Sequence, residues 1–397
     1  MSAGSRATIE RATLIALVSF AAISTDLYLA AIPDIMADLQ ASRADAQLTL
    51  SVFMVGFAIG QIFIGSFSDY FGRIRVIKTS LGVYIVASLI CLLASAVEVL
   101  WVGRLLQGMA AASGPVIARA MVRDRYQGGE AVRVMSSLAA AMSVVPLVAP
   151  VLGGWLLYIG NWRGEFVLLL GFALFTWSGV RGMPETSPAI GLHKPDISAI
   201  ARQMAMCFGD RCFMGFVVCG GAGFATLFVW ITSSAFVITD TFGLPATQFG
   251  YFYAPGVVGY ALGAHSGSRM LKRCSTLQLL KFSVIVLLCG AVMMQLQADG
   301  SAAHAGGVLI ATALMAVGVG MLLPLCQMGA ISRFDTYAGA ASSTFGFSQT
   351  LLCALVSVSV AQIKGETLAV MGSLMLVTAV LSACGLVLLV RDQNQRK

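Results

Sequence analysis

Hydrophobic residues run on along this chain instead of alternating. Twelve apolar stretches stand at 12–33, 48–67, 76–96, 99–120, 134–158, 162–181, 212–237, 247–267, 277–297, 305–331, 338–362 and 367–390. Each is long enough, at 1.5 Å per residue, to cross a hydrocarbon core of about 30 Å as a helix. The segments between them are short, except 182–211, which carries Pro184, Glu185, Pro188, His193, Lys194, Pro195, Asp196 and Arg202. The pattern predicts an all-α polytopic membrane protein with twelve transmembrane helices: a six-helix bundle over 1–181, a polar cytoplasmic linker over 182–211, and a second six-helix bundle over 212–397. Six helices on each side of a linker suggest two repeats facing a midplane site. The internal echo is weak, its clearest trace being GSFSDYFGRIRV after the second stretch against GSRMLKR after the eighth.

Composition agrees, with 58% hydrophobic and 11% charged residues, far below the roughly 25% charged content of soluble domains. In a soluble protein, the net charge of +7 would suggest a nucleic-acid partner. Its distribution argues otherwise. With the N-terminus in the cytoplasm, Arg43, Arg163 and Lys364 fall outside, Arg104 falls within the fourth stretch, and every other Lys and Arg falls on the cytoplasmic side, whereas the acids divide almost evenly. That is the positive-inside bias, which places both termini in the cytoplasm and requires no nucleic acid. Arg6, Glu10 and Arg11 precede the first stretch as in a signal peptide, but no small-residue cleavage pattern follows it, so it is expected to be the first span. The nine cysteines include no C-x-x-C pair and read as small reduced hydrophobes, with no disulfide or metal site.

One carboxylate interrupts the first stretch. Asp26 lies in ISTDLYLAAIP, residues 23–33, and an Asp at the centre of an inserted helix costs about 2.5–3.5 kcal/mol, so such residues usually serve transport or proton transfer. In the fourth stretch, Arg104 needs an acidic or carbonyl partner, since a guanidinium stays charged. Counted from the outer ends of their helices, Asp26 and Arg104 share a depth of about 8–10 Å, so they are candidate partners in proton coupling. Tyr28, Gln61, Gln107, Trp230, Gln327 and Gln349 are polar or aromatic residues within spans, suited to a pocket for a small organic molecule.

Three motifs add a family resemblance. Residues 65–76, GSFSDYFGRIRV, place an acid, two bases and turn-forming glycines at a helix junction, where an ion pair can hold one conformation closed. At Gly65, Asp69, Gly72, Arg73 and Arg75 this loop resembles the signature loop of the major facilitator superfamily. Arg104-Leu105-Leu106-Gln107-Gly108 resembles the superfamily's R-x-x-Q-G motif, which is associated with proton coupling in exporters. The fifth stretch holds Pro146, Pro150, Gly153 and Gly154, whose prolines bend a helix and whose glycines admit close packing. It resembles the antiporter motif, with Ala149 in place of the expected glycine. Ala118–Asp124, Ser233–Val237 with Phe242-Gly243-Leu244 and Gln248-Phe249-Gly250, and Ala338–Ser342 resemble the bicyclomycin-resistance (Bcr/CflA) branch of drug:proton antiporters. A departure falls at Trp162-Arg163-Gly164-Glu165, where relatives usually carry an aromatic-rich string; Glu165 is an extra acid that could serve as a substrate or proton ligand, but it is expected to be a solvated interfacial carboxylate.

The resemblance implies an alternating-access exporter of the bacterial inner membrane, driven by the proton gradient without a cofactor, with a small organic substrate, protons and the lipid bilayer as partners and a monomer as the family default. Export of an endogenous metabolite, such as a siderophore or amino-acid derivative, on the same scaffold is the rival reading. No G-x-x-x-x-G-K-[ST] string occurs, which argues against an ATP-driven pump. A membrane enzyme would need a clustered constellation, and His193, His265 and His304 all lie off the middle of the spans.

Overall fold

A computed structural model describes residues 3–187, 190–191, 196–245, 248–299, 304–334, 338–363 and 367–395. Among them every regular element is helical. The chain divides into two compact units, Met1–Ile197 and Ser198–Lys397.

The first unit holds α1 (Ala3–Asp26), a 3₁₀ turn (Tyr28–Ala31), α2 (Ile32–Asp38), α3 (Arg43–Phe71), α4 (Arg73–Leu92), α5 (Val97–Ala111), α6 (Ser113–Arg125), α7 (Gly128–Ile159) and α8 (Arg163–Arg181). Two spans are broken. The first reaches from Thr8 to Asp38 but changes winding directly after Asp26, with Pro33 in the opening turn of α2. The fourth, Val97–Arg125, breaks at Ala112 ahead of Pro115; a proline there has no N–H to give the carbonyl four residues back and its ring crowds that carbonyl.

The second unit holds α9 (Ile197–Gly209), whose first residue belongs to the first unit, α10 (Arg211–Phe236) with a π turn (Val237–Thr241), α11 (Phe249–Met270), α12 (Thr276–Asp299), α13 (Ala305–Ile331), α14 (Ala338–Gln362) and α15 (Thr367–Gln395). Among the described residues, eleven helical stretches are long and apolar enough to cross a membrane. The expected span at 247–267 is the helix α11, long enough to cross but outside those eleven, because Gly256, Gly259, Gly263, Gly267, His265 and the serines around it dilute its apolar character.

Within the segment 182–211, residues Ile197–Gly209 are helical. The apolar run around Ile197, Met204 and Met206 forms α9 and buries Cys207. Pro188, His193, Lys194 and Pro195 lie outside the described residues, as does Lys364. Of the nine cysteines, Cys91, Cys207, Cys212, Cys219, Cys326 and Cys353 are buried, all nine are free thiols, and only Cys274, Cys289 and Cys384 reach the surface.

Both units use glycine to bring helices together. In the first, a Cβ at Gly56 would strike the Leu105 carbonyl and one at Gly108 the Phe53 carbonyl, so α3 and α5 pack backbone to backbone. In the second, the Gly259 and Gly263 faces meet the carbonyls of Ala313 and Val317, so the small-residue stripe of α11 is occupied by α13 within its own unit. Gly108→Ala is expected to cost about 1–3 kcal/mol, the usual penalty for forcing volume into a packed interior, because its Cβ meets fixed backbone of α3. A thermal melt of the detergent-solubilised protein checks this, and an unchanged midpoint would mean that the two helices part freely.

Candidate functional site

The break after Asp26 brings the site together. Asp26 is 5% exposed, and its Oδ1 accepts a hydrogen bond of 3.1 Å from the Thr25 hydroxyl. Just beyond it, Tyr28 in the 3₁₀ turn is fully buried and donates to the Thr49 hydroxyl on α3 at 2.6 Å.

Arg104 reaches this break from α5. It is 0% exposed, so it is no surface anchor. Its Nη1 donates to the Gln107 side-chain oxygen at 2.6 Å, and its Nη2 donates to the Ser24 carbonyl at 3.0 Å. The guanidinium lies 4.3 Å from the ring centres of both Tyr28 and Phe53, a cation–π arrangement that partly replaces lost hydration. Gln107 passes the network on by donating to Ser88 on α4 at 2.9 Å, while Ser24 shares a 2.5 Å hydrogen bond with Tyr84. The structure therefore places Arg104 beside the end of α1. Its hydrogen bonds run to the Gln107 side chain and to the carbonyl two residues before Asp26.

The paired prolines and glycines of α7 stand on the other side of the break. Pro146 and Pro150 lie inside an otherwise continuous helix. Gly153 and Gly154 are buried, and a Cβ on Gly153 would strike the Leu27 carbonyl. Only glycine allows α7 to approach the 3₁₀ turn so closely.

Glu165 differs from the solvated carboxylate expected of it. It is 0% exposed, and neither of its carboxylate oxygens has a hydrogen-bond partner. Phe166 beside it packs on Tyr28 with ring centres 5.9 Å apart. Directly before α8, Trp162 is 1% exposed and its indole N–H donates to Asp38 at 3.0 Å, while Arg163, the first residue of α8, pairs with the same carboxylate at 2.6 Å and donates to the Ala94 carbonyl at 2.9 Å. This latch stands immediately before Glu165 in the chain. In the sequence, the departure of 162–165 from the family pattern was the signal available for it.

At the other end of the unit, residues 65–76 straddle the junction of α3 and α4. Gly72 turns the chain with φ 95°. Arg73 is 3% exposed and pairs with Asp69 at 2.6 Å and with Asp124 of α6 at 3.1 Å, and it donates to Ser68 at 2.6 Å. Arg75 points outward and is exposed; Gly65 has open space where a Cβ would stand. The sequence did not reveal a further partner, Glu185 from the segment after α8. Its carboxylate accepts from the backbone N–H groups of Arg73 at 2.8 Å and Ile74 at 3.0 Å, capping α4, and Ser187 donates to the Asp69 carbonyl at 2.9 Å. Partial burial raises the Glu185 carboxyl, but the N–H groups of Ser187, Ile74, Arg73 and Thr186 outweigh it and hold the group below the ordinary glutamate range. A lowered carboxyl stabilises above its unfolded value and loses that contribution only as pH falls through the lowered one, so the cap is complete at neutral pH. Glu185→Ala is expected to cost about 1 kcal/mol, as for a lost N-cap, and to speed amide exchange at Arg73 and Ile74. Unchanged exchange there would refute the cap.

Of the remaining pocket candidates, Gln61 on α3 is half-buried. In the second unit, Trp230 of α10 is 1% exposed with its indole N–H unpartnered, and Gln327 of α13 and Gln349 of α14 are half-buried.

Known proteins resemble this chain along nearly its whole length. The family model described as Major Facilitator Superfamily matches residues 14–357. The MFS-type transporter YdgK of Bacillus subtilis (strain 168) is 31% identical over 388 residues, covering 94% of each chain. Multidrug resistance protein D of Escherichia coli (strain K12) is 29% identical, covering 85% of this chain and 84% of its own. A bicyclomycin resistance protein homolog of Haemophilus influenzae is 26% identical, covering 87% of each. Among solved structures, the crystal structure of a D-xylose-proton symporter superposes with a TM-score of 0.71 at 16% identity, covering 94% of this chain and 96% of that one, which is a likeness of fold.

Proposed function

We propose that this chain, which belongs to the Major Facilitator Superfamily and is therefore a multi-pass inner-membrane transporter and not an enzyme, exports small organic molecules in exchange for protons. The observation that carries this reading is the fully buried Arg104, held by Gln107 and the Ser24 carbonyl against the helix break that follows Asp26. A buried cation at a carboxylate-bearing break is a place where a proton and a substrate group can compete. The kinship with proteins named for multidrug and bicyclomycin resistance supports outward transport of drugs.

In this reading, both termini lie in the cytoplasm and the protein acts as a monomer by alternating access. Asp26 takes up the proton from outside, Arg104 favours the ionised carboxylate when the two approach, and the half-buried amides of Gln61, Gln327 and Gln349, with Tyr28, Gln107 and Trp230, contribute to the substrate pocket. The Asp69–Arg73–Asp124 group, with Gly65, Gly72 and Arg75 in the same loop, acts as the cytoplasmic gate, and Pro146, Pro150, Gly153 and Gly154 give α7 the bend and close approach that an exchange mechanism needs. One charge moved across 100 mV is worth about 2.3 kcal/mol, so the proton gradient supplies the work without ATP or another cofactor.

The test is a substrate screen in everted vesicles with proton flux as readout. Uptake of an antimicrobial compound accompanied by proton release from the vesicle interior is the expected result. Transport of endogenous metabolites alone would overturn the drug assignment, and transport without proton movement would overturn the coupling.

A further inference from the structure

Glu165 is unused in the reading just given, although its setting is unusual. It lies in the first turn of α8 with no exposed surface and with both carboxylate oxygens unpartnered. An ionised carboxylate so placed would lose its hydration and gain no hydrogen bond, whereas a neutral carboxylic acid avoids most of that cost. The group is nevertheless not remote from the chemistry. Arg104 on α5 and Asp34 on α2 lie within electrostatic range of it, as does Tyr28 in the 3₁₀ turn. From α7, Gly153 comes close, and a Cβ added there would stand 3.4 Å from Glu165 Oε1. From α4, Tyr84 and Cys91 stand at the Arg104 end of the same cluster. Asp26 belongs to α1 at the start of the break that Tyr28 continues.

Directly before Glu165 in the chain stands a polar latch: Asp38 held by Trp162 and Arg163, with Arg163 also tied to the Ala94 carbonyl. The Asp38 and Arg163 side chains of this latch are partly exposed, while Trp162 is buried. Tyr28 and Phe166 pack on each other beside it.

We propose that Glu165 is a second proton-binding carboxyl of the transporter, neutral while sealed within the first unit and ionised when opening of the Asp38–Trp162–Arg163 latch admits water. It rests on the reading of the chain as a proton-driven exporter and extends it: the first unit carries two buried acids, Asp26 and Glu165, in the neighbourhood of the buried cation Arg104. Two exchangeable protons against one guanidinium would let the carrier return a net positive charge even when its cargo is itself a monocation.

The test is infrared difference spectroscopy of the full-length protein in lipid nanodiscs as pH is raised, a measurement that needs no substrate. A carboxylic acid that accepts no hydrogen bond has a high-frequency carbonyl stretch. The expected spectrum contains such a band, which bleaches as pH rises, persists in Asp26→Asn and disappears in Glu165→Gln. A Glu165→Gln spectrum identical to that of the unaltered protein overturns the proposal, and so does a Glu165 band that stays constant over the whole pH range, which would make the acid a permanently neutral packing group. If Glu165→Gln does not fold, Glu165→Asp is used instead, and a displaced band is expected while an undisplaced one refutes the assignment. Because the readout is protonation, a chain that exported nothing in the vesicle screen would lose the exporter assignment and keep the Glu165 result.

Discussion

Replacing Asp26 by Asn is expected to abolish proton-driven transport while leaving the amount and the thermal stability of the protein nearly unchanged. The two side chains have almost the same shape, and an amide oxygen can still accept the 3.1 Å hydrogen bond from Thr25. What is lost is titration. The position lies at the end of α1, where the backbone changes from α to 3₁₀ winding, so a change of charge there acts on a part of the span with weakened internal bonding. The measurement is pH-gradient-driven flux in everted vesicles beside a thermal melt. Undiminished flux would remove Asp26 from the coupling step, and a collapsed melt would show that the residue is structural.

Arg104→Lys is expected to lower transport about ten- to a hundredfold. Lysine keeps the charge but not the planar fork. The guanidinium bonds Gln107 and the Ser24 carbonyl at once, at 2.6 and 3.0 Å, and stacks against Tyr28 and Phe53; an ammonium on a flexible stem cannot reproduce all four contacts. Losing hydrogen bonds to a charged group costs about 1.5–3 kcal/mol, and each 1.4 kcal/mol is about tenfold in rate. Initial transport rates, normalised to protein content, check this. Full activity in the lysine variant would reduce Arg104 to a carrier of charge whose geometry is immaterial.

Much of this arrangement is legible from residue pattern because a bilayer constrains so strongly. Every backbone polar group in hydrocarbon must bond within its own helix, so long apolar runs reveal the spans and rare charges such as Asp26 and Arg104 stand out at once. Counting residues from helix ends also points to Arg104 as a neighbour of the first span. Counting does not reveal which atom a long side chain bonds. The Ser24 carbonyl is invisible as a partner, because every residue has a carbonyl and only the helix break brings this one within reach. Glu165 differs for another reason: a residue at a helix entrance is solvated or sealed according to neighbours distant in sequence, here Arg104 and Gly153 among them. Glu185 follows a helix among prolines and polar residues, and nothing local tells that its carboxylate folds back to cap α4.

That cap alters where the chain can be divided. The residues after α8 read as a tether, a natural place to divide the halves into separate polypeptides. Yet Glu185 and Ser187 are held by backbone of the α3–α4 junction, and the Gly191 N–H donates to the Tyr70 carbonyl at 3.0 Å. A cut at 182 would strip the first half of the plug on its own helix end, whereas a cut just after 191 would leave it whole. The structural frontier of the N-terminal half thus lies about ten residues beyond the point where its last membrane helix stops.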